Sequence, residues 1–517
     1  MGGQRGAAAS GAAASNAAAR AVLKTQMVRL EQLLEGADVV GSSGPVTEVS
    51  SVAYDSRAVK PGTLFVAMAG AKTDGNRFVL EAAERGAVAI ASQLPRANLP
   101  EKIAWVQVRD ARKALATAAV NFYGRPADAL QLVGITGTKG KTTTAYLVDS
   151  IVRASGAKCG LFGTVEYRTP AGAREAKTTT PESLELQSFL AEVRDAGGTH
   201  AAFEVSSHAL ALDRAWGCRF AVAVYTNLDR DHLDFHQTME KYFAAKRRLF
   251  EGTGKGAPAV GVVNTDDAQG NALQGLAGRT LTYGLKNGAD ITTRKFWLDF
   301  SGLEFTAQTP AGKIDVRSPL VGRVNVYNIL AAIGAAQGLG IAPAAMEAGI
   351  SNLANVPGRF ERVDAGQQFL VVVDYAHTGD SAASLIATAR ELNPNGRILT
   401  VFGCGGDRDR ARRPLMGEAV GRGSHRLYLT TDNPRSEDPR NIINDILVGV
   451  QRAGAEYVVV EDRAEAICKA IADAQPGDMV LLVGKGHERY QIIADRALPW
   501  SDAEEARKAL RACGYGE

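Results

Sequence analysis

A short glycine-rich loop at residues 137–142, Gly-Thr-Lys-Gly-Lys-Thr, has the residue types of a phosphate-binding site. It follows the apolar segment LQLVGIT and precedes a helical pattern. Its glycines let backbone N–H groups turn toward an anion, and the N-terminus of the next helix adds a partial positive charge. Lys141 can reach the β- and γ-phosphates of a nucleotide, and Thr142 can offer its hydroxyl to Mg²⁺. Ile135 stands where the longer Walker pattern requires glycine, so a purely structural turn is the alternative.

Polar side chains follow two other apolar segments, at positions where buried strands would end. Glu204 lies in HAAFEVSSH beside a pair of serines, and His232 lies in YTNLDRDHLDFH among several aspartates. In open α/β sheets the carboxyl ends of parallel strands face the ligand crevice. Glu204 and His232 are therefore candidate ligands of the Mg²⁺ that accompanies ATP. The alternative is a solvated loop that binds no metal.

Lys246 occupies an unusual position in the segment TMEKYFAAKRRLF. Met239, Tyr242 and Phe250 recur with it at helical spacing, so this lysine lies on the apolar face of a predicted helix. A buried free ammonium is costly, and a lysine in that position usually shifts its pKa or finds a partner. Two interpretations remain: the side chain extends past the core to solvent, or its amine is neutral and modified.

Composition and charge exclude several classes of protein. The 517 residues carry 59 Lys plus Arg against 56 Asp plus Glu, so a net charge of +3 gives no broad basic surface for nucleic acid. Hydrophobic residues make up 45% and charged residues 22%, which is typical of a globular protein. Five cysteines without a CxxC pair argue against a disulfide framework or a zinc site. The longest uncharged run, 324–346, contains Asn, Gln and Pro, so we expect no membrane span.

The order of apolar segments predicts an α/β protein of three domains. Strand-like runs alternate with helical patterns after the glycine loop, and the alternation restarts beyond VPGRFERV, a hinge candidate near Pro357. Continuous apolar strands separated by helices are typical of parallel sheets that are covered on both faces. The expected divisions are a disordered Ala/Gly/Ser-rich tail at 1–20 and domains at 21–110, 111–356 and 357–517.

With GTKGKT, EVSSH, TNLDRDHLDFH and YFAAK in this order, the chain resembles the Mur ligases, an ATP-dependent family that forms peptide bonds in peptidoglycan precursors. The resemblance runs from about residue 45 to the C-terminus. It implies a first domain that binds a UDP-sugar substrate, a central ATPase of P-loop type with a mostly parallel sheet, and a Rossmann-like C-terminal domain that binds the incoming amino acid. It further implies a cytoplasmic enzyme, and we expect a monomer.

The segment TTDNPRSEDP at 430–439 indicates which amino acid is added. In the family, DNPR marks members that add meso-2,6-diaminopimelate to UDP-N-acetylmuramoyl-L-alanyl-D-glutamate, whereas lysine-adding members carry a different tetrad. Diaminopimelate has a second carboxylate, which a guanidinium binds through two parallel charge-assisted hydrogen bonds. The resemblance therefore implies ATP-dependent addition of diaminopimelate through an acyl phosphate. Standing alone, DNPR would indicate an ordinary Asn-Pro turn.

The resemblance also implies roles for residues at matching motif positions. Lys246 would be carbamylated, which turns a buried cation into an anion able to hold Mg²⁺. The catalytic residues would be Lys141, Lys246, Glu204 and His232, and the metal ligands Thr142, Glu204, His232 and carbamylated Lys246. The ATP-binding residues would be Gly137, Thr138, Lys139, Gly140, Lys141, Thr142, Thr143, Asn328, Arg359 and Asp374. The UDP-substrate would contact Ser56, Thr179, Thr180, Ser207 and Arg214. Diaminopimelate would contact Arg408, Asp432, Asn433, Pro434, Arg435, Gly484 and Glu488.

Three alternative functions stay open at this point. A lysine-adding ligase would share the motifs of the central domain. A folylpolyglutamate-synthase-like ligase would share the ATPase core but would not explain DNPR or the first domain. A non-catalytic nucleotide-binding protein descended from such an enzyme is the third. Arguing against it are the intact residues Lys141, Thr142, Glu204, His232 and Lys246.

Overall fold

Three mainly parallel sheets organise the chain in the computed structural model, which describes residues 27–70, 73–286 and 288–516. The predicted tail at 1–20 lies outside the described residues. Each sheet is covered by helices on both faces, as the continuous apolar strands predict. Within the described residues, no helix is long and apolar enough to cross a membrane.

The first unit is built on a five-stranded sheet and a separate antiparallel pair of short strands. The pair consists of β1 (Val28–Arg29) and β3 (Glu48–Val49), and the sheet consists of β2 (Val39–Ser43), β4 (Ser51–Ala53), β5 (Thr63–Ala67), β6 (Ala87–Ser92) and β7 (Ala104–Val108). Its helices are α1 (Leu30–Leu33), α2 (Val79–Glu84) and α3 (Ala111–Phe122). The order is β2-β7-β6-β5-β4, with β2 antiparallel to β7 and the other neighbours parallel. The sequence-based boundary at residue 110 separates α3 from this sheet, yet α3 packs Ala114 and Leu115 into the sheet's core.

The central unit carries an eight-stranded sheet in which six neighbouring strands run parallel. Its strands are β8 (Gln131–Thr136), β9 (Cys159–Phe162), β10 (Glu166–Thr169), β11 (Gly172–Glu175), β12 (His200–Glu204), β13 (Phe220–Tyr225), β14 (Val260–Asn264) and β15 (Arg279–Tyr283). The order is β11-β10-β9-β12-β8-β13-β14-β15. Because β8 lies between β12 and β13, the segments that follow these three strands meet at one edge of the sheet.

Helices on the two faces of this sheet form two separate cores. The helices are α4 (Lys141–Ala154), α5 (Ser183–Asp195), α6 (Ser207–Ala211), α7 (Leu233–His236), α8 (Met239–Glu251), α9 (Arg323–Gly338) and α10 (Pro343–Asn352). Side chains of α4, α9 and α10 fill one core, and those of α5, α6 and α8 fill the other. Helix α4, which follows the glycine loop, and helix α6, which follows Glu204, thus start on opposite faces of the sheet.

An antiparallel sheet of three strands, which the sequence analysis does not predict, projects from the central unit. Its strands are β16 (Phe296–Asp299), β17 (Gly302–Thr309) and β18 (Gly312–Ser318). Alternate side chains such as Leu303, Phe305 and Val316 join the core under α9 and α10. This half-buried alternation differs from the continuous apolar runs that mark the parallel strands.

The C-terminal unit has a six-stranded sheet in the order β19-β20-β24-β21-β22-β23. Its strands are β19 (Glu361–Arg362), β20 (Leu370–Asp374), β21 (Ile398–Phe402), β22 (Arg426–Leu429), β23 (Glu456–Val459) and β24 (Met479–Val483), followed by the hairpin of β25 (Tyr490–Ile493) and β26 (Arg496–Pro499). Its helices are α11 (Gly379–Leu392), α12 (Arg412–Gly423), α13 (Pro439–Ala453), α14 (Arg463–Ala472) and α15 (Asp502–Ala512). Apart from β19, neighbouring strands of the sheet are parallel, so β21, β22 and β24 end at the same edge.

Candidate active site

The glycine-rich loop lies between β8 and α4, in the middle of the central sheet. Gly137 and Gly140 have φ angles of 146° and 85°, a region that side-chain-bearing residues rarely adopt. A Cβ at Gly137 would collide with Thr226 Oγ1, and one at Gly140 would lie 2.5 Å from Asn328 Oδ1. The two glycines therefore let the loop lie directly against the end of β13 and against α9, where the predicted ATP contact Asn328 is buried.

Part of this loop is held by Asn227, a residue that the sequence analysis did not single out. The Thr138 N–H donates to the Asn227 carbonyl and the Lys139 N–H donates to Asn227 Oδ1, each at 2.9 Å. The Lys139 side chain pairs with Asp229 at 3.0 Å. The N–H groups that remain for an anion are those of the first turn of α4, which have no partner within the helix.

Lys141 lies within the loop, where its Nζ donates to the carbonyl oxygens of Gly137 and Thr138 at 2.9 Å each. Burial lowers the pKa of Lys141, the nearby carboxylate of Glu204 opposes that change, and the positive charge of Arg359 lowers it further. Because the charges of Glu204 and Arg359 act on Lys141, this lysine lies near residues predicted to bind the metal and ATP. The carbonyls that now hold its amine are weak partners that a phosphate oxygen can replace.

The hinge between the central and C-terminal units meets the loop at Thr142. This threonine is buried in the first turn of α4, and its Oγ1 accepts a hydrogen bond of 3.5 Å from Arg359 Nη2. The Arg359 guanidinium also lies 5.1 Å from the centre of the Tyr375 ring. Asp374, at the end of β20, accepts two backbone hydrogen bonds of 2.8 Å, and burial raises its pKa. The predicted ATP-binding residues of the two units therefore converge.

Glu204 ends β12 and is 1% exposed. Both of its carboxylate oxygens accept hydrogen bonds from Thr164, one from the backbone N–H at 2.7 Å and one from Oγ1 at 3.1 Å. Thr164 Oγ1 also lies 3.1 Å from Thr179 Oγ1, which connects Glu204 to the predicted UDP-substrate residues. Thr164 was missed from the sequence, because a threonine after a short strand carries no distinguishing signal.

Lys246 is 1% exposed, which excludes the interpretation in which its side chain reaches solvent. Its Nζ lies 4.2 Å from the centre of the Tyr242 ring, and among the described residues it has no hydrogen bond or ion pair. Burial lowers the pKa of Lys246 far below its ordinary value, and the charge of Lys141 lowers it further. A lowered pKa increases the share of the neutral, nucleophilic amine, which is the form that reacts with CO₂.

The rings of His232 and His236 also surround Tyr242, at centre-to-centre distances of 6.1 Å and 5.1 Å. His232 is partly exposed, and its Nε2 lies 3.5 Å from Asp231 Oδ2. Burial lowers the pKa of His232, whereas the charge of Asp231 opposes this. The charges of Lys141 and Lys246 also lower the pKa of His232, and the charge of Glu204 raises that of Lys141. The four residues predicted to be catalytic are therefore close enough to affect one another's charge.

The donor chemistry of this neighbourhood fits Mg²⁺ when Lys246 carries a carbamate. Oxygen ligands suit Mg²⁺, and Thr142 and Glu204 supply a hydroxyl and a carboxylate. The described residues contain no group of three or more His, Cys, Asp or Glu side chains arranged to hold a metal ion. The partnerless amine of Lys246 is where an added carboxyl group would complete the set, so the metal site stays a prediction that depends on this modification.

Residues predicted to bind the UDP-substrate lie beside Glu204. Arg214 donates to the Thr180 carbonyl at 3.0 Å and pairs with Glu182 at 3.3 Å. Thr180 Oγ1 donates to the Glu204 carbonyl at 2.7 Å. The segment that carries Thr179 and Thr180 is therefore fixed to the end of β12, next to the predicted phosphoryl-transfer site.

Ser207 and Ser56, the other two residues predicted to bind the UDP-substrate, lie in the central and first units. The buried Ser207 Oγ lies 2.9 Å from His236 Nε2. Ser56 begins a short 3₁₀ turn in the first unit, and its Oγ donates to Glu81 at 3.3 Å. Tyr54, two residues earlier, donates to Glu185 in α5 at 3.0 Å, which joins the first unit to the central one. The structure thus brings the loop of Ser56 to α5, but within the described residues it shows no hydrogen bond between Ser56 and the other predicted UDP-substrate residues.

The residues predicted to bind diaminopimelate lie together on the loops that follow β21, β22 and β24. The Gly406 N–H donates to the Asn433 carbonyl at 2.9 Å, and Arg435 Nη1 donates to the Gly406 carbonyl at 2.7 Å. The Arg435 backbone also pairs with the hairpin strand β25. The members of this cluster are Arg408, Asp432, Asn433, Pro434, Arg435, Gly484 and Glu488.

Lys485 completes this cluster, although the sequence analysis did not name it. It is entirely buried, and its Nζ donates to Asn433 Oδ1 at 3.0 Å and to Glu488 Oε2 at 3.2 Å, and lies 3.6 Å from Asp432 Oδ1. Asn433 Nδ2 donates to the same Glu488 oxygen at 2.8 Å. Glu488 Oε1 has no partner in the part of the chain that the structure describes. The signal that could have found Lys485 is its place inside GKGHE, between two residues that were named.

Family models match three segments of the chain. They describe the Mur ligase family catalytic domain at 48–123, the Mur ligase middle domain at 135–336, and the Mur ligase glutamate ligase domain at 358–486. The UDP-N-acetylmuramoyl-L-alanyl-D-glutamate–2,6-diaminopimelate ligase of Solibacter usitatus is 52% identical over 472 residues, which cover 91% of this chain and 95% of that protein. The chain belongs to the Mur ligase family. The family prediction made from the motifs is thereby confirmed.

Solved structures of Mur ligases share the fold over almost the whole length. One titled as a UDP-N-acetylmuramoyl-L-alanyl-D-glutamate–2,6-diaminopimelate ligase has a TM-score of 0.68 and 32% identity, and covers 95% of this chain and 100% of that one. Folylpolyglutamate synthase of Mycobacterium tuberculosis, complexed with ADP and AMPPCP, has a TM-score of 0.56 and 18% identity over 71% of this chain and 91% of its own. The second likeness shows the fold alone. The predicted α/β, three-domain fold class is confirmed.

Proposed function

We propose that this Mur ligase adds meso-2,6-diaminopimelate to UDP-N-acetylmuramoyl-L-alanyl-D-glutamate in the cytoplasm, with ATP as co-substrate. The observation that carries the proposal is the cluster at the edge of the C-terminal sheet. Two guanidinium groups, from Arg408 and Arg435, lie there with the Asn433 amide and the free oxygen of Glu488. This set complements a molecule with two carboxylates and two ammonium groups.

A carboxylate is a poor electrophile, so the acid must be activated before the amide forms. The γ-phosphoryl group of ATP passes to an oxygen of the D-glutamyl γ-carboxylate, which gives an acyl phosphate and ADP. The free amine of diaminopimelate then attacks the acyl carbon, and the bond from that carbon to the phosphate-bearing oxygen breaks. The amine loses a proton as phosphate departs, and the amide remains. The protein supplies position and charge rather than a nucleophile.

The central unit provides the groups that handle the phosphates. Lys141 and the first turn of α4 present positive charge to the transferring phosphoryl group. Thr142, Glu204, His232 and carbamylated Lys246 would hold Mg²⁺, which neutralises phosphate charge when it is bound. Thr164 keeps the Glu204 carboxylate oriented through its two hydrogen bonds.

The C-terminal unit provides selectivity for the amino acid. Glu488 Oε1 accepts a hydrogen bond from an ammonium group of the substrate, while Lys485 and Asn433 hold Oε2. Arg435 binds the second carboxylate that diaminopimelate has and lysine lacks. A bound lysine would leave the guanidinium groups without an anion, which disfavours lysine strongly.

The test measures phosphate release by the purified protein with ATP, Mg²⁺ and UDP-N-acetylmuramoyl-L-alanyl-D-glutamate. We expect release that depends on meso-2,6-diaminopimelate, with lysine and glutamate weak at equal concentration. A preference for lysine would favour the lysine-adding ligase, and activity with glutamate on a folate acceptor would favour the folylpolyglutamate-synthase-like alternative. ATP binding without turnover of any amino acid would indicate the non-catalytic alternative.

A further inference from the structure

Arg413, in the first turn of α12, is 1% exposed although its side chain carries a permanent charge. Its guanidinium pairs with Glu437 through Nη1 at 2.9 Å and Nη2 at 2.7 Å, and Nη1 also pairs with Asp445 at 2.9 Å. Nη2 further donates to the Gly405 carbonyl at 3.3 Å. One buried side chain therefore joins the loop after β21, the loop after β22 and helix α13.

Glu437 is the partner that links these loops most directly. In addition to the bidentate pair with Arg413, Glu437 Oε1 accepts a hydrogen bond of 2.6 Å from the Asp407 N–H. Asp407 in turn accepts a hydrogen bond of 2.7 Å from Ser436 Oγ. The Arg413 guanidinium lowers the pKa of Glu437 to about 2, so this carboxylate stays ionised across the working range of pH.

The two guanidinium groups of the amino-acid pocket stand on the two loops that this pair connects. Arg408 directly follows Asp407, and Arg435 lies two residues before Glu437. Both side chains pass beside Gly405, at which an added Cβ would be 3.0 Å from Arg435 Nη1 and 3.7 Å from Arg408 Cγ. Two guanidinium groups that bind one carboxylate must keep a fixed geometry, so the loops that carry them need a rigid support.

We propose that the Arg413–Glu437 pair positions Arg408 and Arg435 for the second carboxylate of the amino-acid substrate and thereby determines selection of diaminopimelate over lysine. The inference rests on the proposed function, because it concerns the same pocket. Both side chains bond protein groups, Arg413 those of Glu437, Asp445 and Gly405 and Glu437 those of Arg413 and Asp407, so we assign both as positioning residues. A lysine at 413 would keep the charge but lose the planar fork that bonds Glu437 twice.

The experiment compares Arg413→Lys and Glu437→Gln with the wild-type enzyme. Arg410→Lys is the matched control, because Arg410 pairs with the same Asp445 but is 65% exposed. For each protein, KM and kcat are measured for diaminopimelate, lysine and ATP, together with the midpoint of thermal unfolding. We expect KM for diaminopimelate to rise about 10- to 100-fold in both test variants, since small misplacements of a binding group have effects of this size. KM for ATP should change by no more than about twofold, as should every constant of Arg410→Lys.

Selectivity supplies the second readout. The ratio of kcat/KM for diaminopimelate to that for lysine should fall about tenfold or more in each test variant. Only diaminopimelate has a second carboxylate, so only its binding is weakened when Arg408 and Arg435 are misplaced. The double variant should be no worse than the poorer single variant, since both act through one pair. If one of the two single variants does not fold, the other single variant tests the inference by the same measurements.

Three results would overturn the inference. The first is an unchanged KM for diaminopimelate, whatever happens to the unfolding midpoint. The second is an equal rise of KM for ATP and for diaminopimelate, which would mark Arg413 as a general structural residue. The third is a double variant whose losses multiply. A wild-type enzyme that does not use diaminopimelate would instead refute the proposed function, and the selectivity claim would fall with it.

Discussion

Replacement of Arg435 by alanine removes the guanidinium that we assign to the second carboxylate of diaminopimelate. In the structure its Nη1 donates to the Gly406 carbonyl, so the other nitrogens are available for a substrate carboxylate. A hydrogen bond to a charged group contributes about 1.5–3 kcal/mol, and two of them at a partly exposed site should total about 3 kcal/mol. Since each 1.4 kcal/mol corresponds to a factor of ten, kcat/KM for diaminopimelate should fall about 150-fold.

The assay is steady-state phosphate release at varied diaminopimelate, with ATP and the UDP-substrate saturating. Arg435→Lys keeps the charge but loses the fork, so we expect roughly half of the free-energy loss, a decrease of about tenfold. Arg440→Ala is the control, because Arg440 is an exposed arginine a few residues along that pairs with Glu461 at 3.1 Å, and it should change kcat/KM by about twofold at most. A decrease below about fivefold for Arg435→Ala, or an equal loss toward ATP, would refute the pocket assignment.

Three further predictions concern the central unit. Lys141→Ala should lower ADP release in the presence of both substrates by more than about 100-fold, because the phosphoryl group loses its nearest cation, and substantial residual turnover would contradict its role. Lys246→Ala should be inactive, and propionate should partly restore its activity by supplying a carboxylate in the space left. The control Lys241→Ala, on the exposed side of α8, should stay active. Activity of Lys246→Ala without propionate would refute the carbamate. Burial lowers the pKa of His236 to about 4. As the pH drops from about 6.5 to 4, this histidine binds a proton in the unfolded chain but not in the folded protein. The free energy of unfolding should therefore fall over this range by up to about 3 kcal/mol. Denaturant titrations at several pH values should show a shallower dependence for His236→Gln, and an identical profile would contradict this reading.

Groups carried by continuous motifs could be located from the sequence. The glycine loop and Glu204 lie at the ends of adjacent parallel strands because apolar runs of strand length precede both. The burial of Lys246 follows from its helical spacing with Tyr242 and Phe250. The pocket around DNPR is likewise assembled from loops that follow predicted strands.

Groups whose role depends on tertiary contacts could not be found in this way. Thr164 and Asn227 are ordinary loop residues until the fold brings them to Glu204 and to the glycine loop. Lys485 is buried against Asn433, which lies 52 residues away in the chain. The alanine-rich face of α3 shows that the helix is packed but does not show which sheet it covers. Likewise, the alternating strands at 296–318 were missed because they lack the continuous apolar runs used to recognise the others.

Activation of the D-glutamyl carboxylate by ATP before the amide forms is the step on which the proposed reaction depends. The direct measurement uses UDP-substrate labelled with ¹⁸O in both oxygens of that γ-carboxylate, followed by mass analysis of the phosphate released during one round of ligation. We expect one ¹⁸O atom in each phosphate, because the oxygen that accepts the phosphoryl group leaves with it. Phosphate that contains no ¹⁸O, with amide product still formed, would contradict the acyl-phosphate route.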